Sequence, residues 1–100
     1  MPKVDHIVLV KFKEGTTPVQ IDGIFTEFLD ISETIPGIEN FVSGPNTSPE
    51  GLNQGYTHAF VMTFTDSLAR DSYLHHPEHE RVKQKAMELL DGVLVLDFEL

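Results

Sequence analysis

The sequence contains no cysteine and no tryptophan, and only 7 of its 100 residues are Lys or Arg. Without cysteine there is no disulfide to staple a small fold, no thiolate for zinc and no cysteine nucleophile. Sixteen Asp and Glu outweigh the few bases, giving a net charge of −9 with neutral histidine and an isoelectric point near 4.7. Such a chain is repelled by phosphate backbones and by anionic membrane surfaces, so neither nucleic acid nor membrane is an expected partner. No apolar run approaches the ~20 residues that a spanning helix needs. The opening Met1-Pro2-Lys3-Val4-Asp5-His6 has no signal-peptide pattern, and the expected setting is cytoplasmic. Glycine-rich phosphate loops, Ser-His-Asp spacings and paired-carboxylate motifs are also missing.

What is present is a globular composition, 40% hydrophobic with seven Phe, in an amount that suits one domain over residues 1–100. A domain this short buries only roughly two-thirds of the surface its unfolded chain exposes. With no disulfide available, burial against another chain is the remaining source of stability.

Val4 to Phe12 is a β-branched run that reads as a strand buried on both faces. Thr17 is placed to cap a helix and Pro18 to occupy its first position. Apolar residues then recur at helical spacing through Ile21, Ile24, Phe25, Phe28 and Leu29, until Pro36-Gly37 ends the run. Ile38 to Val42 reads as a second strand and Asn46 to Gly55 as a polar loop. Tyr56 to Phe64 reads as a third strand, with Tyr56, His58, Phe60, Met62 and Phe64 on one face. Asp66 or Ser67 caps a helix to Leu74, His75-His76-Pro77 interrupts it, and Glu78 to Leu90 restarts it. Asp91-Gly92 reads as a turn into a last strand, Val93 to Leu100.

The order β-α-β-β-α-β predicts an α+β, ferredoxin-like sheet with its helices on one face. Ile7, Leu9, Ala59 and Val61 would then lie on the other face, and they are too apolar for water. A second copy packed sheet against sheet covers them, so a homodimer is expected.

Three segments carry a resemblance to a known family: His6-Ile7-Val8-Leu9-Val10-Lys11-Phe12, Gly55-Tyr56-Thr57-His58-Ala59-Phe60 and Tyr73-Leu74-His75-His76-Pro77-Glu78-His79. In this order and spacing the chain resembles, over its whole length, the stress-responsive dimeric α/β-barrel (Dabb) family. The resemblance implies a dimeric α+β barrel closed by two sheets, with some members assembling further.

The residues themselves point to one site. His6 shares a strand face with Val8 and Val10, and His58 with Phe60 and Met62. If those faces look toward Ile24, Phe25 and Phe28, two imidazoles edge an apolar cavity. The helix bearing Tyr73 would close over it, with His79 beyond the Pro77 bend. An imidazole and a phenol can remove a proton beside a carbonyl and hold the resulting enolate oxygen, with no metal or cofactor required. Resemblance to the family's polyketide-cyclase members implies Tyr73 and His79 as the catalytic pair. There His79 would be the base and Tyr73 the group that orients and polarises the substrate. It also implies His6, Val8, Val10, Ile24, Phe25, Phe28, Phe60 and Met62 as the pocket wall.

The chain departs from those cyclases at Arg70 and at Glu80-Arg81-Val82-Lys83, where they carry apolar or small residues. A smaller or acidic ligand would suit Arg70, Arg81 or Lys83 better than a long alkyl tail. Plainer roles stand beside these. His58 reads equally as a core histidine bonded to a loop carbonyl, and His76-Pro77-Glu78-His79 as a bend whose imidazoles cap preceding carbonyls. Tyr56 reads as packing. Three imidazoles in five residues resemble a metal site in composition, but Pro77 and the short spacing argue against one. Two functions are therefore expected in alternative: a cofactor-free, cyclase-like lyase acting on an unknown small molecule, or a stress-protective homodimer with no catalysis.

Overall fold

The nine residues of strand β1 (Val4–Phe12) alternate between two environments. Val4, His6, Val8 and Val10 are buried, whereas Asp5, Ile7 and Leu9 are half-buried. In a single chain, then, β1 is covered on one face only, and the expectation of burial on both is corrected: all three helices pack on the same side. The computed structural model describes residues 1–100. After β1 come α1 (Pro18–Thr34), β2 (Ile38–Pro45), β3 (His58–Phe64), α2 (Ser67–Leu74), α3 (Pro77–Leu89) and β4 (Leu90–Glu99). The strands lie in the order β2-β3-β1-β4, every neighbouring pair antiparallel. This is the ferredoxin-like α+β arrangement, its second helix broken in two at His75-His76-Pro77. No helix is long and apolar enough to cross a membrane.

Local chemistry sets the boundaries. Thr17 and Gln20 form a reciprocal cap: the Gln20 amide donates to Thr17 Oγ1 (3.2 Å) and the Thr17 amide to Gln20 Oε1 (2.9 Å). Pro18 occupies the first turn, where no amide hydrogen is needed. Asp66 caps α2 by accepting from the Ala69 amide at 2.8 Å, and the His76 ring caps α3 by accepting from the Glu78 amide at 3.1 Å. Ile24, Phe28, Ile31 and Ile35 follow one stripe of α1 into the core, against Val4, Phe60, Met62 and Phe64 of the sheet.

Two turn-like readings of the sequence resolve differently. Asp91-Gly92 does not turn the chain. α3 runs directly into β4 at Leu90, and the register shift between Lys11 and Phe12 leaves Asp91 as the extra residue of a bulge. A Cβ at Gly92 would lie 3.3 Å from Cδ of the flexible Lys11 side chain, a tight contact that a small movement of Lys11 relieves. Tyr56 precedes β3 instead of opening it, and its ring lies under the Lys11 ammonium, 4.6 Å from Nζ. It therefore shares no strand face with His58.

The pairing register defines the face turned away from the helices. Val42, Val61, Ile7 and Leu96 form one row across it, and Gly44, Ala59, Leu9 and Leu94 the next. Leu96 is 65% exposed and Leu94 51%. Asp5 and Phe98 continue the face beyond Leu96, with the Thr63 hydroxyl donating to Asp5 at 2.6 Å.

Gly37 sets the path from α1 into β2. Its φ is +90°, and a Cβ there would stand 2.6 Å from the Ala69 side chain of α2. Gly15 has the same kind of φ, +87°, with open space around it. Gly15→Ala should cost about 1 kcal/mol from backbone strain alone, and Gly37→Ala about 2–4 kcal/mol because overlap is added. Urea unfolding of the two variants checks this. Equal losses would mean that α2 yields without cost.

Candidate active site

Between the helix-bearing face of the sheet and α3 lies a cavity of about 260 Å³. Its floor is His6, Val8 and Val10 of β1, Phe60 of β3, and Val93 and Val95 of β4. Ile24, Phe25 and Phe28 form the α1 wall, and Ala86 and Met87 part of the α3 wall. The space exists because the edge strand β4 offers only Val93 and Val95 to this side before Asp97, and no helix lies flat over the two valines. Val93 is 39% and Val95 57% exposed.

Eight expected site residues meet in this wall: His6, Val8, Val10, Ile24, Phe25, Phe28, Phe60 and His79. Three do not. Met62 is fully buried in the core, two residues along β3 from Phe60. His58 stacks on Phe25 (ring centroids 5.8 Å) and meets Phe12 edge-on (5.3 Å). Its Nδ1 bonds the Thr57 hydroxyl at 2.9 Å rather than a loop carbonyl. Tyr73 is 0% exposed and reaches the cavity only through its neighbours, lying 4.3 Å from the His79 ring and 6.1 Å from the His6 ring.

Sequence reasoning missed Phe12, Leu74, Ala86, Met87, Leu90, Val93 and Val95 as lining residues. A signal was present: His79, Lys83, Ala86, Met87 and Leu90 are spaced as one helical stripe. The two valines lie in the strand read as Val93 to Leu100, but no register against β1 was legible to place them on the floor.

Two imidazoles are held with the same polarity. His6 Nδ1 lies 2.7 Å from Asp97 Oδ1. A carboxylate only accepts, so Nδ1 carries the hydrogen and Nε2 is the basic nitrogen. The other oxygen of Asp97 accepts from Arg70 at 2.8 Å, and Arg70 also donates to Asp71 at 2.8 Å. His79 Nδ1 donates to the Leu74 carbonyl at 3.2 Å, so its Nε2 is basic too. The bend thus caps in both directions: His79 takes a carbonyl at the end of α2, while His76 caps the start of α3. Burial pushes His79 below the ordinary imidazole range, against the opposing pull of the Leu74 carbonyl and Glu80, so it is a neutral base at pH 7. Burial alone pushes the Tyr73 phenol far up, and its hydroxyl has no hydrogen-bond partner. It is a neutral O–H donor lacking an acceptor.

Of the cations expected to suit an acidic ligand, Arg70 is taken by Asp97 and Asp71. Arg81 is taken by Glu78 and Glu27 on the outer surface (2.8 and 3.0 Å). Only Lys83 lines the cavity. No group of three His, Cys, Asp or Glu side chains converges as metal ligands would.

The sequence and fold have relatives. A model of the stress responsive A/B barrel domain matches residues 4–100. The chain is 34% identical over 96 residues to stress-response A/B barrel domain-containing protein HS1 of Arabidopsis thaliana, covering 96% of this chain and 88% of that one. It is 24% identical over 95 residues to olivetolic acid cyclase of Cannabis sativa, covering 95% and 94%. Among solved structures, a dimeric ferredoxin-like protein of unknown function from Jannaschia sp. CCS1 superposes with a TM-score of 0.88. That pair is 28% identical, covering 98% of this chain and 99% of the other.

The lowered His79 value has a pH consequence. The unfolded chain binds this proton more readily than the folded one, so the His79 contribution is complete above about pH 6.5. It is lost as pH falls through that value toward the depressed folded one. His79→Asn keeps a donor for the Leu74 carbonyl and removes the titration. Urea midpoints at pH 7.5 and 5.5 should fall less in His79→Asn than in the parent protein; parallel curves would contradict the assignment.

Proposed function

The chain belongs to the stress responsive A/B barrel domain family, and we propose that it is a homodimer whose apolar cavity performs acid–base chemistry on a small carbonyl compound. The observation that carries this is the Tyr73 hydroxyl, fully buried, without a partner, and packed on the neutral imidazole of His79. His79 Nε2 removes a proton from the carbon beside the carbonyl, and the electron pair moves onto the carbonyl oxygen. The Tyr73 O–H lies one layer behind the cavity wall. It donates to that oxygen as it becomes an enolate, once substrate entry parts the Leu74 and His79 side chains in front of it, a role for a neutral phenol rather than a phenolate. The enolate carbon then attacks a second carbonyl of the same molecule, closing a carbon–carbon bond while that carbonyl's π pair moves to its oxygen, which takes the proton back from His79. Similarity to a cyclase supports this direction.

A linear poly-β-ketone thioester or acid is one substrate with two such carbonyls. The simplest readout is the first step alone: deuterium entry from D₂O into the α-carbons of a medium-chain methyl ketone, followed by NMR. The protein should accelerate exchange over buffer, His79→Ala should lose at least about 100-fold, and Tyr73→Phe should lose much of the rate while keeping the fold. A parent protein no faster than buffer would overturn the enzyme reading. It would leave a ligand-binding, stress-protective dimer, a reading favoured by the exclusion of Tyr73 from the cavity wall.

The dimer is supported by the apolar face around Ile7, Val61, Leu94 and Leu96, and by a relative described as dimeric. Light scattering at micromolar concentration should give twice the chain mass of 11.2 kDa, and Leu96→Glu should give the single mass. A parent protein at 11.2 kDa, or a Leu96→Glu protein still at twice that, would contradict it.

A further inference from the structure

α3 presents His79 and Lys83 to the same cavity, one helical turn apart. They differ in depth. The His79 side chain is 11% exposed and the His6 side chain 5%, whereas Lys83 is 52% exposed. Lys83 therefore stands at the mouth, its hydrocarbon stem against the wall and its ammonium in contact with solvent. Its charge is near enough to His79 to help hold that imidazole neutral.

Two further facts mark this ammonium. In a chain with 16 Asp and Glu, none lines the cavity. Lys3, Arg70, Arg81 and Lys85 are each held by a carboxylate at 2.8–3.0 Å, whereas the contact from Lys83 to Glu80 is 3.9 Å. Lys83 is a cation beside an otherwise apolar wall, with no close ion pair to break before it meets a ligand.

Building on the carbonyl reading above, we propose that the cavity takes an apolar monocarboxylate, whose carboxylate pairs with Lys83 at the mouth while its carbon chain runs inward to His6 and His79. One cation matches one negative charge, and at the half-exposed mouth the carboxylate keeps part of its hydration. The phenylalanine and valine wall receives the chain. The protein's overall negative charge disfavours more highly charged anions.

The test compares hexanoate with hexanamide, equal in shape and different in charge. Each is titrated into the ¹⁵N-labelled 100-residue chain at pH 7.5, and the amide shifts of Lys83, Ala86, Val93 and Val95 are followed. Hexanoate should bind about fivefold more tightly than hexanamide. Lys83→Met keeps the apolar stem, and it should abolish that preference by weakening hexanoate more than hexanamide. If the two probes bind the parent protein equally, or if Lys83→Met keeps the preference, the carboxylate assignment is overturned and the cavity remains a ligand site. If neither probe moves the cavity amides, the ligand-site reading falls with it.

Discussion

The hydrogen bond between His6 and Asp97 ties the strand register to the site. The two residues face each other across β1 and β4, on the helix side of the sheet. His6 is a polar side chain among Val4, Val8 and Phe60, and burial there is tolerable only because Asp97 accepts its hydrogen. Arg70 from α2 holds the second oxygen of Asp97, so one carboxylate joins β1, β4 and α2. A one-residue slip of β1 would carry His6 to the opposite face and drive Ile7 and Leu9 under the helices. The pair would be lost, and the alternation that separates core from open face would invert. The interaction that fixes the register also sets the hydrogen on His6 Nδ1.

The break between α2 and α3 works by a similar economy. Pro77 carries no amide hydrogen, so the chain cannot continue as one helix through it. The interruption leaves carbonyls at the end of α2 and amides at the start of α3, and two histidines of one short segment serve both. His76 accepts from the Glu78 amide, while His79 donates to the Leu74 carbonyl. The second bond also fixes which nitrogen of His79 is basic. Repairing the bend and orienting the imidazole are one event, so the capping role of this motif and the proposed chemical one do not compete. Tyr73, in the last turn of α2, is carried under His79 by the same geometry.

Much of this was legible in the sequence. The bounds of β1, the cap at Thr17, the break at Pro77 and the face carrying Phe60, Met62 and Phe64 follow from period and punctuation alone, because each is a local decision. What failed was long-range. Asp91-Gly92 has the composition of a turn, and only its pairing with Lys11 reveals a bulge. The last strand was read correctly from Val93, but its register against β1 was not legible, and with it went Val93 and Val95 of the cavity floor and Asp97, the partner of His6. Met62 and His58 were placed on the correct face but lie to either side of Phe60 along β3, His58 behind Phe12 and Phe25 and Met62 in the core. Which residue of a strand meets a cavity is not set by its period. Tyr73 lies against His79, yet its depth depends on how closely α2 approaches Phe64, which no local pattern reports.

β4 is where cavity and dimer meet. It is an edge strand whose apolar side chains remain exposed in the single chain on both faces: Val93 and Val95 toward the cavity, Leu94, Leu96 and Phe98 toward the open face. An edge with so much unburied apolar surface is the part of a sheet most prone to local opening, and here it also bears Asp97. Opening β4 would release the Nδ1 hydrogen bond of His6 and dissolve the cavity floor together. In the proposed dimer, a second sheet covers Leu94, Leu96 and Phe98 and leaves the valines free for ligand. The alternation of one strand then lets the same residues that bury the interface stiffen the floor beneath the base. The dimer is in that sense part of the site's construction, although no residue of the partner need touch the ligand.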